Sequence, residues 1–383
     1  MSDKDEEILG NFEHLVLEGT SYEIGRQQGE IFQKNARMKI KQNKFPTREF
    51  FTSAKFNRKK SGFNSFAEIE ELQEMYCPGI TEEIKGFAES LNVLPEILAI
   101  HDFPYSTQKG CTGLVFLPKV TVNGRIYVAR TYDWHYKDED NRLCSTRVQG
   151  KFAHIGFSTL LFGRLEGLNE RGLCIIITAG GAWDTPVTNK KSLPFWIPLR
   201  GILEKCGTTR EAVDNLIDIP IWTSTNYLVA DPSGHAALVE GNDSEFEVKE
   251  IDLQCDEHFL YATNVYAMSG MLKYNQFNNP WLLNVSKVRR ETIEDLVETK
   301  FPYVDTELIK NYLSKEIPEG FCASWQSGYF GALWASVYDV TELTVDINFG
   351  TPSHSSNKWY TFTPTTSKKN EDFEAIFVDK GNG

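Results

Sequence analysis

The stretch Lys109-Gly110-Cys111-Thr112-Gly113, with Ala129-Arg130-Thr131-Tyr132-Asp133-Trp134 on the next strand-like segment, decides how this chain is read. A small Gly-Cys junction opens a β-rich run, and an Arg and an Asp follow it. Cys111 reads as a nucleophile that becomes a new N-terminus when the chain cuts itself at Gly110. Glycine suits the cut, since it admits a strained backbone and leaves its carbonyl unshielded.

Outward from this junction, composition narrows the classes. A chain of 383 residues, 41% apolar and 13% aromatic, can bury a sizeable core in one large domain or two ordinary ones. The net charge of −13 argues against nucleic acid and anionic membrane as partners, since both need clustered Lys and Arg. The basic stretch Arg37–Lys60 reads as a solvated helical face with a Pro-broken loop. The acidic start lacks an apolar secretory core, and no run approaches the ~18 apolar residues of a spanning helix. Seven scattered cysteines without a Cys-x-x-Cys pair form neither a disulfide framework nor a zinc site. A cytoplasmic protein with no metal is expected.

Periodicity supplies the elements. A strand is expected at Phe12–Glu18, then a helix capped by Ser21, with Gly25 and Gly29 on one face so that another backbone can approach. Helices at Phe66–Tyr76, Ile80–Leu91 and Pro95–His101 make 1–110 a mainly helical segment. Strands are expected at Leu114–Leu117, Arg125–Arg130, Phe152–Phe162 and Leu173–Thr178, bounded by turns such as Asn123-Gly124. A helical pair follows, from Phe195–Leu203 and from the capping box Thr208-x-x-Glu211 through Leu216.

Strands resume at Tyr227–Ala230, Ala236–Glu240, Phe246–Ile251 and Phe259–Thr263. Helices are expected at Met268–Phe277, Asn284–Glu298 and Thr306–Leu313, then strands at Ala332–Val340, Thr344–Phe349 and Trp359–Phe362. The tail beyond Thr365 is polar apart from Phe373–Val378. Nothing resembles a linker, so 1–110 and the core 111–383 are read as one integrated α+β domain. A four-layer αββα sandwich satisfies this order, because each sheet must bury one face on the other and one under helices.

Several motifs fall in a shared order: Tyr22-Glu23-Ile24-Gly25-Arg26-Gln27-Gln28-Gly29, Gly110-Cys111-Thr112, Arg130-x-x-Asp133-Trp134 and Gly167-Leu168-Asn169-Glu170-Arg171-Gly172-Leu173. Ala262-Thr263-Asn264, Ser286-x-x-Arg289 and Tyr338…Gly350-x-Pro352 continue it. In these the chain resembles the acyl-CoA:6-aminopenicillanate acyltransferase (peptidase C45-like) family of N-terminal-nucleophile hydrolases, related to penicillin V acylase and bile salt hydrolase. The resemblance implies the αββα fold and a cut between Gly110 and Cys111 into two chains that stay associated. Gln28 stands where the family often has His, and Thr131 where Asn is usual; both departures bear on the substrate more than on the chemistry.

Amide hydrolysis needs an activated nucleophile, a base and an oxyanion site. Once the Gly110–Cys111 bond is cut, Cys111 carries a thiol and an α-amine titrating near pH ~7.7–8.0, which can shuttle the thiol proton without a histidine. Arg130 is expected to stabilise the thiolate, and Asp133 to hold the α-ammonium. Residues i and i+3 on a strand face opposite ways, so both reach Cys111 only if the strand bends between them. Asn264 is expected to donate its amide to the oxyanion, with backbone N–H groups near Gly180 and Gly181 as second donors and Asn226 as a lesser candidate. Ser286 reads either as a pocket residue or as the N-cap of its helix, and Arg289 as the Arg that faces the site.

The substrate expected is a small N-acyl compound with a linear amide, passed through a Cys111 thioester. No cofactor is expected, acyl-CoA being admitted only as a substrate, and a homo-oligomer is compatible with the chain. Two alternatives stay open: a papain-like thiol hydrolase using another Cys/His pair, and a non-catalytic, uncut binding protein of the same fold.

Overall fold

The computed structural model describes residues 5–34, 63, 65–96, 98, 110–136, 142–159, 162–181, 191–242, 245–276, 280–328, 330–355, 358–366 and 370–381. In chain order these form β1 (Glu6–Gly19), α1 (Ser21–Lys34), α2 (Phe66–Tyr76), α3 (Ile80–Leu91), β2 (Gly110–Phe116), β3 (Tyr127–Trp134), β4 (Arg142–Val148) and β5 (His154–Thr159). Then come β6 (Gly163–Arg164), β7 (Glu166–Asn169), β8 (Cys174–Ala179), α4 (Trp196–Lys205), α5 (Thr209–Asp218), β9 (Thr225–Ala230), β10 (Ala236–Asn242), β11 (Glu245–Ile251) and β12 (Phe259–Ala262). The last elements are α6 (Pro280–Lys300), α7 (Thr306–Ser314), β13 (Ser324–Trp325), β14 (Phe330–Asp339), β15 (Thr344–Phe349), β16 (Tyr360–Phe362) and β17 (Glu371–Asp379).

The result is a mixed α+β fold around one large, strongly curved sheet. One run of strands pairs in the order β16–β15–β14–β3–β2–β12, antiparallel throughout. A second runs β11–β10–β9–β8–β7–β5–β4–β1–β17, antiparallel except for the β1–β4 pair. The short β13 pairs with both β14 and β17 and joins the two. The sheet thereby doubles back, and Gly113 on β2 lies against Ile176 of β8 and Leu228 of β9, where a Cβ would crowd both side chains.

Strand alternation sorts the core. Cys111, Val115, Val128, Tyr132 and Trp134 face the main apolar cluster, where Tyr132 and Phe157 stack on Trp334 at 4.1 and 4.0 Å. Leu114, Phe116, Tyr127 and Ala129 face the other way, against Ile293 and Leu296 of α6 and Ile309 and Leu313 of α7. On the opposite side Leu199, Ile202 and Leu203 of α4 and Leu216 of α5 join the main cluster. The expected capping box is present, with Thr208 and Glu211 exchanging bonds at the start of α5. Close approach at the α1–α3 contact also holds: a Cβ at Gly25 would overlap the Glu83 carbonyl oxygen.

Several expectations change. The strand expected at Phe12–Glu18 is present but longer: β1 runs for 14 residues, Glu6–Gly19, as an interior strand between β4 and β17. The polar tail supplies β17, whose alternation buries Phe373, Ala375 and Phe377. β4, Arg-Leu-Cys-Ser-Thr-Arg-Val, was unread because its buried positions are partly polar. The helix expected at Met268–Phe277 is, over its described part, a single 3-10 turn at Leu272–Tyr274. The helix expected at Asn284–Glu298 starts earlier, at Pro280, so Ser286 lies buried inside α6 and caps nothing. The basic loop Arg37–Lys60 and most of the helix expected at Pro95–His101 lie outside the described residues.

Candidate active site

Cys111 is the second residue of β2, opposite Tyr132 on β3, and is completely buried in this uncut chain. Arg130, on the same face of β3, donates from Nη2 to Cys111 Sγ at 3.0 Å. The guanidinium is held from behind: Nη1 lies 2.8 Å from Glu166 Oε2, and both side chains are fully buried. The other oxygen of Glu166 accepts from Ser336 Oγ and Tyr338 Oη at 2.8 Å each and from Trp334 Nε1 at 3.3 Å. Glu166 thus spends one oxygen on Arg130 and the other on three neutral donors of β14.

The electrostatics follow from this packing. Burial pushes the Cys111 thiol above its usual pKa, and Arg130 works against that rise. Burial disfavours the Arg130 charge too, but Glu166, and then Cys111, hold its pKa above the ordinary guanidinium value. Glu166 was not singled out in the sequence. Its one signal is a carboxylate between Leu165 and Gly167 in an apolar run, a position that demands a buried cation.

Arg130 and Asp133 diverge as straight-strand geometry requires. The irregularity falls on the partner strand instead, where Leu333 is the extra residue between Ala332 and Trp334. Asp133 therefore turns to the helix-covered face and pairs with Arg289 of α6, both fully buried. Arg289 also donates to Phe321 O at 2.8 Å, which ties helix and carboxylate to the loop before β13. Burial raises the Asp133 pKa, and Arg289 opposes the rise. Among the described residues its other oxygen, Oδ1, has no hydrogen-bond partner, and in the β2–β3 register Asp133 lies opposite Gly110. Ser286 is one turn before Arg289 on the buried face of α6.

Asn264 follows β12 and reaches Cys111 with the oxygen of its side chain: Oδ1 accepts from Cys111 N at 2.9 Å, while Nδ2 donates to Ala179 O at 3.2 Å. The amide expected to serve an oxyanion is thus turned away, and the Cys111 backbone nitrogen is the group held. Asn226 Nδ2 donates to Thr178 Oγ1 and Thr263 O, at 3.0 and 2.9 Å. The Gly180 N–H is spent on Ser224 O at 3.1 Å and so is not on offer to a substrate here, and the Tyr266 ring packs where a Cβ at Gly180 or Gly181 would lie. The Gly167–Leu173 motif is a turn device: Asn169 Oδ1 accepts from Arg171 N and Leu173 N, and its Nδ2 ties to Leu203 O and Cys206 O.

A comparison with family models matches residues 120–354, downstream of Cys111, to acyl-coenzyme A:6-aminopenicillanic acid acyl-transferase. A comparison with curated protein sequences finds no match. Among solved structures, two variants of the conjugated bile acid hydrolase from Clostridium perfringens are similar at 12% identity, with TM-scores of 0.43 and 0.44, covering 69% of this chain and 96% of theirs. Penicillin V acylase from Agrobacterium tumefaciens is similar at 13% identity and a TM-score of 0.36, covering 66% of this chain and 85% of its own. With more than half of its length matched by the family model, the chain belongs to the acyl-coenzyme A:6-aminopenicillanic acid acyl-transferase family and is an acyltransferase or amide-cleaving hydrolase.

Proposed function

We propose that the chain cuts itself between Gly110 and Cys111 and then uses Cys111 as an N-terminal nucleophile on the linear amide of a small N-acyl compound. The observation that carries this reading is the Arg130 guanidinium 3.0 Å from Cys111 Sγ, braced by a buried carboxylate. A buried cation aimed at a sulfur favours thiolate, which an inert core cysteine does not need. In fold terms, the two strand runs are the inner layers of a four-layer αββα sandwich, with α6 and α7 outside one run and α4 and α5 outside the other. The apolar contacts on both outer faces support that layering.

In the self-cut, Sγ attacks the Gly110 carbonyl carbon, the Gly110 C–N bond breaks, and the thiol proton passes to the departing Cys111 nitrogen. Water then hydrolyses the Gly110 thioester, leaving a Gly110 carboxylate, a free thiol and a free α-amine. Asn264 Oδ1 already holds that nitrogen, and Asp133 Oδ1, without a partner among the described residues, is the acceptor for the new ammonium. In turnover the amine takes the thiol proton, Sγ attacks the substrate carbonyl, and the proton goes to the leaving amine. Water or a second amine resolves the acyl thioester. The Cys111 sulfur is fully buried before the cut, so substrate reaches it only after the site has rearranged.

The test is a denaturing gel and intact mass of the purified protein. Fragments 1–110 and 111–383 are expected, with Cys111→Ala remaining whole at 43.6 kDa and inactive, and Cys206→Ala cutting normally. An active wild-type protein that stays whole after prolonged incubation defeats the reading. Acyl donors such as penicillins, acyl-homoserine lactones, conjugated bile salts and N-acyl amino acids then sort the substrate.

A further inference from the structure

Thr263–Met268 carries Asn264 into the site, yet it lies beyond the end of β12 with no helix or strand of its own. Side chains hold it in place. Thr178 Oγ1 and Asn226 Nδ2 donate to Thr263 O at 2.7 and 2.9 Å. Tyr266 N donates to Asn275 Oδ1 at 2.9 Å, Asn275 Nδ2 returns a bond to Tyr266 O at 2.8 Å, and Tyr266 Oη donates to Gly241 O at 2.5 Å. At the far end Glu240 uses both oxygens: Oε1 accepts from Ala267 N at 2.7 Å and Oε2 from Met268 N at 3.0 Å.

Glu240 is a costly residue to keep there. It is 1% exposed on β10, and among the described residues no cation lies within ion-pair distance of it. Glu247 stands directly opposite on β11, a like charge across the strand pair, and its Oε2 accepts from Gly270 N at 2.7 Å. Burial, eased by its two N–H donors, pushes Glu240 up to about 7. An apolar residue would fill this position more cheaply, but it could not grip two backbone N–H groups.

We propose that Glu240 is a positioning residue for the Cys111 reaction: by holding the Ala267 and Met268 N–H groups it fixes the loop so that Asn264 Oδ1 stays on the Cys111 nitrogen. This rests on Cys111 being the nucleophile. Glu240→Gln keeps the shape but leaves one acceptor oxygen and turns an NH2 toward the second N–H.

Two readouts test it. In the uncut Cys111→Ala background, Glu240→Gln is expected to speed hydrogen exchange about tenfold in peptides covering 110–116 and 262–270, with β9 and β10 still protected. Unchanged exchange at 110–116 overturns the proposal. With Cys111 intact, Glu240→Gln should slow self-cutting about tenfold, and Glu240→Gln with Asn264→Ala should cut no more slowly than Asn264→Ala alone. Additive losses mean that Glu240 does not act through Asn264 and also overturn it. A wild-type chain that never cuts instead removes the Cys111 reading, while the exchange result still reports on the loop.

Discussion

At the scale of single residues, Glu166 is the side chain on which the Arg130 contact depends. Removing one partner of a fully buried pair typically costs ~3–5 kcal/mol, because it strands the other charge. Glu166→Gln is therefore expected to lower stability by about that much and to slow self-cutting at least ~10-fold, read by urea unfolding of the Cys111→Ala form and by gel time course. Ser336→Ala removes one of three neutral donors to Glu166 Oε1 and should cost only ~1 kcal/mol. The grouping of Cys111, Arg130 and Asn264 was legible because a thiol, a cation and an amide are chemically distinctive types near a Gly-Cys junction, whereas the orientation of Asn264, oxygen toward Cys111 N, was not. Glu166 was not, because its meaning lies in a pairing across strands that no local spacing reveals. Asp133 was half legible: alternation already placed it on the face away from Arg130 and the helix carrying Arg289 was expected, but the pairing of the two across that face was not.

At the scale of elements, α3 and α4 are pinned together by a buried charge cluster. Arg200 makes two bonds to Glu83, at 2.8 and 2.6 Å, and one to Glu204 at 2.9 Å, while Lys151 lies 2.6 Å from Glu204. Burial by itself raises the Glu204 pKa, but Arg200 and Lys151 overcome it and hold the carboxyl down to about 2. A depressed carboxylate stabilises the fold above its unfolded pKa of ~4.3, and that stability is lost as pH falls toward 2. Wild-type protein should thus lose urea resistance between about pH 4.5 and 2, and Glu204→Gln should flatten this limb. Periodicity located α3, α4 and the capping box of α5, since local side-chain spacing sets them. It missed β4 and β17, where pairing with the distant β1 overrides a polar composition, and it placed a helix at Met268–Phe277 where Glu240 and Glu247 take up the backbone N–H groups instead.

At the scale of the whole molecule, residues 1–110 and 111–383 are not separable bodies. β1 pairs with β17 from Glu6↔Asp379 to His14↔Glu371, and with β4 from Glu13↔Arg142 to Gly19↔Val148. Breaking the bond before Cys111 leaves those ladders intact. The two pieces should co-elute in native size exclusion and separate only in denaturant. Truncation before Glu371 should uncover the apolar edge beside Phe12 and cause aggregation at modest temperature.

The adjacency of β1 and β17 has an engineering consequence. Because Glu6 and Asp379 are neighbours, a few glycines can stitch the old ends together, and the reading frame can be reopened at residue 111. Such a circular permutant, with its initiator methionine trimmed by the host, would begin life as Cys111. On the proposed mechanism it should turn over substrate from the first minute of synthesis, with no maturation lag to wait through.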